Sequence, residues 1–165
     1  MERTAIISPC GLYRYNLGRK WSDGPSMTFV MINPSIADAS IDDPTIRRCI
    51  GFAKREGCGA IDVVNLCAFR ATDPEDMLLA DDPIGPENED YVMMALQNSV
   101  MTIAAWGANA GEVIKNYPKV LDVVDLVQTA RKVFSLGSLT KSGFPRHPLY
   151  ASGDAPLIPF SGSTP

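Results

Sequence analysis

The chain has no apolar run long enough to cross a bilayer. The longest, such as Met27 to Ile32, last about six residues, where a span needs roughly 20. Cysteine and histidine are scarce. Cys10, Cys49, Cys58 and Cys67 include no Cys-x-x-Cys pair, and His147 is the only histidine. That argues against a zinc site and leaves the cysteines as buried, reduced thiols that pack like small hydrophobes. No Gly-x-Gly-x-x-Gly, phosphate-loop or Gly-x-Ser-x-Gly motif follows a strand-like run, which sets aside dinucleotide, nucleoside-triphosphate and serine-hydrolase chemistry. The N-terminus reaches Ser8-Pro9 without the apolar stretch of a secretory signal, so the expected location is cytoplasmic and no membrane partner is expected. Asp38, Asp42 and Asp43 form an acidic cluster suited to magnesium, but Asp43 fits better as a helix cap, and neither metal nor cofactor is predicted.

What is present describes one soluble domain. The 165 residues are 45% hydrophobic and 21% charged, which excludes disordered and fibrous classes. The domain is expected over residues 1–150, with 151–165 as an irregular tail rich in proline, serine and glycine. Net charge is −4, against a general nucleic-acid binder, but the charges are segregated. Residues 71–114 hold acids and no Lys or Arg, whereas Arg131, Lys132, Lys141 and Arg146 stand in an acid-free stretch, 126–153.

Four apolar runs, Thr28 to Ile32, Ile61 to Asn65, Met101 to Trp106 and Lys132 to Leu136, lack in-out alternation and read as strands covered on both faces. Helical patterns separate them. Asp43 caps and Pro44 opens the first, with Ile46, Cys49, Ile50 and Ala53 as its apolar stripe. A second follows Gly85-Pro86 with Val92, Ala95 and Leu96, and a third carries Val120, Val123, Val124 and Val127. Alternation of strand and helix predicts an α/β fold, a three-layer α/β/α sandwich around a mainly parallel four-stranded sheet. Leu12 to Trp21 reads as an edge strand or hairpin arm, and Ala68 to Gly85 as an ordered excursion or lid.

Polar groups follow each run. Asn33-Pro34-Ser35 ends the first, Asn65 with Phe69 and Arg70 the second, Trp106-Gly107 the third, and Arg146-His147-Pro148 comes after the fourth. In a parallel sheet all four land at the C-terminal edge, where ligands bind. An Asn at the end of a buried strand either ties down a loop or offers donor and acceptor to a ligand. His147, beside Arg146 and Lys141, is expected to be neutral and a hydrogen-bond donor.

These residues carry a resemblance. Tyr13-Arg14-Tyr15, Met31 to Ala39, Asp42 to Thr45, Arg70 to Pro74, Ala105-Trp106-Gly107 and Arg146 to Tyr150 look like the bacterial and phage family catalogued as domain of unknown function 1643. More distantly, the order of motifs resembles the uracil-DNA glycosylases. Met31-Ile32-Asn33-Pro34-Ser35 stands for their Gly-x-Asn-Pro-like motif, Val64-Asn65 for the second, Ala105-Trp106-Gly107 for the third and His147-Pro148-Leu149 for the His-Pro-Ser-like fourth. Ser35 and Leu149 depart from that pattern, and no aromatic closely follows Asn33. The resemblance implies that Asn33 orients an attacking water, Asn65 reads the base edge and His147 stabilises the departing base. Pro34, Ser35, Phe69, Arg70, Trp106 and Arg146 would complete the substrate site.

Three functions follow: hydrolysis of the N-glycosidic bond of a modified or mismatched base in DNA, action on free nucleosides, nucleotides or base conjugates, or non-catalytic nucleic-acid binding. The expected ligand is thus nucleic acid or nucleotide-like.

Overall fold

The computed structural model describes residues 1–35 and 40–162. Strands β1 (Glu2–Ile7) and β2 (Arg14–Lys20) form a hairpin and precede β3 (Ser26–Met31). Helix α1 (Pro44–Arg55) begins where the sequence places it. The Asp43 Oδ1 accepts from the Ile46 backbone N at 2.8 Å, and Pro44 occupies the first turn, where no N–H is needed. β4 (Ala60–Asn65) follows, then the short α2 (Pro74–Leu78), α3 (Asn88–Asn98) and β5 (Met101–Ala104). Helices α4 (Ala110–Asn116) and α5 (Val120–Gln128) lead to β6 (Val133–Leu136), a 3₁₀ turn at Pro148–Tyr150 and β7 (Leu157–Pro159).

One seven-stranded mixed sheet runs β1-β2-β4-β3-β5-β6-β7. The four strands read from the sequence are its parallel centre, β4-β3-β5-β6. The expectation of four strands is corrected by β1, β2 and β7, which pair antiparallel at the flanks. Their signals were weak for physical reasons. β1 is exposed on both faces except at Ala5, so it needs no apolar pattern. β2 buries Arg14 and Arg19, residues that read as solvent-facing. β7 is three residues of the stretch expected to be irregular, and its Pro159 is tolerated on an edge.

Alternation along the central strands divides the core. Met27, Phe29 and Met31 of β3 pack with Ile46, Cys49, Ile50 and Phe52 of α1 on one face. Val30 packs with Val92 and Leu96 of α3 and Val123 and Val127 of α5 on the other. Each large aliphatic or aromatic side chain so buried contributes roughly 1.5–3 kcal/mol. Among the described residues no helix is long and apolar enough to cross a membrane. Cys49, Cys58 and Cys67 are buried free thiols; Cys10, expected to be buried, is exposed in the β1–β2 turn, where no second layer covers it.

Candidate functional site at the C-terminal edge of the sheet

The chain leaves β3 toward β4 on one side and leaves β5 toward β6 on the other, so the C-terminal ends of β3 and β5 mark the point where the strand order reverses, the place where sheets of this kind bind ligands. The segment carrying His147 closes over the β5 side. Gly107 N donates to Pro145 O at 2.9 Å, and a Cβ at Gly107, whose φ is +81°, would lie 3.2 Å from the His147 Cβ. Glycine meets both without strain, whereas a side chain would have to adopt a disfavoured φ and push His147 back by a few tenths of an ångström.

His147 is held in one protonation pattern. Its Nδ1 accepts from the Leu149 backbone N at 3.2 Å, capping the 3₁₀ turn. In the neutral ring the proton is therefore on Nε2, which is left as a donor. Burial pushes its pKa below the usual 6.5, while the Asp43 carboxylate pulls in the opposite direction. The cause expected from the sequence is thus corrected: burial keeps the imidazole neutral, whereas Arg146 turns its Nε to Ser138 O at 2.9 Å. Arg48 of α1 supports the same segment, donating from Nε to Pro148 O at 3.2 Å and from Nη2 to Ala151 O.

The two asparagines differ. Asn33 is half-buried, and its Nδ2 donates to Ala71 O at 2.9 Å and Pro34 O at 3.2 Å, so its amide nitrogen ties two loops together. Its Oδ1 accepts no bond from the described residues. Asn65 is 1% exposed, yet neither Oδ1 nor Nδ2 has a protein partner. Its backbone oxygen is engaged, accepting from Asn88 Nδ2 at 2.9 Å. Two unmet hydrogen-bonding atoms in a buried amide cost free energy unless a water or ligand meets them. Asn65 lies on the α1 side of the sheet, in step with Ile61 and Val63 and beside Met31.

The remaining sequence-predicted residues divide by face. Pro34 is buried, and its carbonyl accepts from Ala71 N at 3.1 Å. Ser35 Oγ lies 3.5 Å from Asp43 Oδ2. Arg70 is half-buried and donates from Nη1 to Gly11 O at 3.1 Å. Phe69 belongs to the α3 side, edge-on to Tyr13 at 6.0 Å. Trp106 is 1% exposed in the α3–α5 core, edge-on to Phe160 at 5.5 Å, and its Nε1 has no partner. Both rings pack on the α3–α5 side of the sheet, the face opposite the α1-side core that Met31 joins. Asp38 lies outside the described residues, among which no three His, Cys, Asp or Glu gather as a metal site.

Sequence reasoning missed Arg14. It is 3% exposed, and burial, then the charge of Arg70, lower its pKa to about 10, while Asp43 pushes it upward. Arg14 and Arg70 flank the Tyr13–Phe69 bridge, where strand alternation puts both on the side away from the two rings. Lone basic residues between aromatics resemble an exposed strand face, so only pairing reveals the burial. Asp43 thus caps α1 while sharing its field with Arg14 and His147. A cavity of about 710 Å³ opens at the opposite end of β5; the polar groups carried at the strand ends, not volume, single out this edge as the candidate site.

The arrangement defines an α/β protein with a neutral imidazole donor, a carboxamide oxygen and a buried carboxamide at the C-terminal edge of a parallel sheet centre. The chain belongs to the family described as protein of unknown function (DUF1643), whose model matches residues 14–149. No curated protein and no solved structure matches it.

Proposed function

We propose that the chain is a uracil-DNA glycosylase-like hydrolase that cleaves the N-glycosidic bond of a modified or mismatched base in DNA. The observation that carries this reading is the buried Asn65 side chain, whose donor and acceptor are both unpaired. A carboxamide of that kind matches the paired donor and acceptor on a base edge. The order of the four parallel strands, second-first-third-fourth along the chain, is consistent with a crevice where such a base would enter.

Cleavage of this bond develops positive charge on the sugar and negative charge on the base, so it needs a positioned water and a donor at the base. The His147 Nε2–H supplies the donor without adding a full charge. Asn33 Oδ1, with its nitrogen held by Ala71, is the acceptor that orients the water. Water oxygen bonds to the anomeric carbon as the carbon–nitrogen bond breaks; the water proton goes to solvent, and the base leaves as an anion that solvent protonates. Leu149 and Tyr150, 42% and 77% exposed beside His147, offer apolar surface to a flanking base.

The test is incubation of purified protein with single- and double-stranded oligonucleotides carrying uracil, mismatched or hypermodified bases, followed by alkaline cleavage at abasic sites. Cleavage that disappears in His147→Ala supports the reading; no abasic sites on any substrate rejects it. The net charge of −4 favours a second reading, action on free nucleosides, nucleotides or base conjugates, which chromatographic release of free base would identify. Salt-dependent DNA binding without turnover, unchanged in Asn33→Ala and His147→Ala, would mark a non-catalytic module.

A further inference from the structure

At the end of the sheet away from His147, the start of β5 and the last turns of α3 and α5 line the 710 Å³ cavity, which is partly open to solvent. That is the size of a site for a small organic ligand. Met93, Leu96, Val100 and Leu126 give it an apolar lining, with Met93 and Val100 42% and 48% exposed. Arg131 and Lys132, the unassigned cations of the acid-free stretch, stand along it, and no carboxylate lines it in a chain of net charge −4.

A second observation points to a ligand. Thr102 lines the cavity from within the sheet and is 1% exposed, yet its hydroxyl makes no hydrogen bond to the described residues. On the neighbouring strand, Thr28 bonds the Ala95 carbonyl of α3 at 3.1 Å. Thr102 is linked to the cationic segment through its backbone, N to Lys132 O at 2.8 Å. Arg131 and Lys132 form no side-chain hydrogen bond or ion pair with the described residues. The ends of α3 and α5 each bring about half a negative charge to this region, which two full positive charges exceed.

We infer that this cavity binds an amphipathic monoanion, a medium-chain alkyl or aryl carboxylate. Its apolar body lies against Met93, Leu96, Val100 and Leu126, and its carboxylate meets Lys132, Arg131 and the Thr102 hydroxyl. The site is separate from the sheet edge that carries His147 and does not depend on the function proposed for that edge.

The test is calorimetric titration of the full chain at low ionic strength with decanoate, decanol and decyltrimethylammonium, each below its micellar range. Decanoate is expected to saturate one site roughly fivefold more tightly than decanol, and the cation to bind least. In Arg131→Gln/Lys132→Gln decanoate should fall to the affinity of decanol, and in Thr102→Val decanoate alone should weaken. Leu126→Trp should fill the space and abolish binding of both; because it risks unfolding, the surface double variant, with its melting temperature checked, decides. Absence of saturable decanoate binding, equal affinity for decanol, or decanoate affinity undiminished in the double variant would overturn the inference.

Discussion

The Arg48 guanidinium and the Pro148 carbonyl, a hundred residues apart in the chain, meet at 3.2 Å and fasten the segment behind His147 to helix α1. The same guanidinium reaches Ala151 O and lies 5.1 Å from the centre of the Phe52 ring. Arg48→Ala removes all three contacts. Stability is expected to fall by about 1–3 kcal/mol, and hydrogen exchange should rise first at residues 147–151. Unchanged exchange there would show that Gly107 and Pro145 hold the segment alone.

His147 gives a pH prediction with a definite sign. Its folded pKa lies below the unfolded value of 6.5 because burial disfavours the charged ring. Between those two values the unfolded chain binds more protons, so stability rises with pH across the window and is lost as pH falls from 6.5 toward the depressed folded pKa. Asp43→Asn keeps a good helix cap but removes the carboxylate that pulls the pKa upward, so it should lower the value further. Nuclear magnetic resonance titration of this single histidine tests both statements, and a folded pKa above 6.5 contradicts them.

Asn65→Leu separates a ligand-reading amide from a structural one. Replacing an unpaired buried amide with an apolar group of similar shape is expected to leave stability unchanged or raise it by about 1–2 kcal/mol, while base-dependent binding or turnover disappears. A marked fall in melting temperature would instead show that the amide is held by ordered water.

For Asn33→Ala the expectation is different, because its nitrogen bonds Ala71 O and Pro34 O. A loss of about 1 kcal/mol is predicted, with turnover falling far more than that stability change explains. Comparable losses in both would make Asn33 a loop tie alone. Chemical denaturation and an abasic-site assay on the same preparation give the two numbers.

Sequence alone determined the features that arise from local chemistry or from burial on both faces. The runs at Thr28 to Ile32 and Ile61 to Asn65 became β3 and β4 because a strand covered on two sides must be apolar throughout. Asp43-Pro44 started α1 because a cap and a first-turn proline act within four residues. Tertiary structure decided the rest, because pairing partners set it. β1 shows no apolar pattern since it has a single neighbour strand and little burial, and Arg14 is buried where the chain after β4 runs beside the start of β2, through the Tyr13–Phe69 bridge and the Arg14 N to Ala68 O bond. The candidate site divides along the same line. Its asparagines are legible at the ends of their strands and its histidine as the only one in the chain, but the sequence carries no sign that Asn33 is tied to Ala71, that Asn65 is unpaired, or that Trp106 turns into the core, since each depends on which face and which distant carbonyl the folded backbone presents.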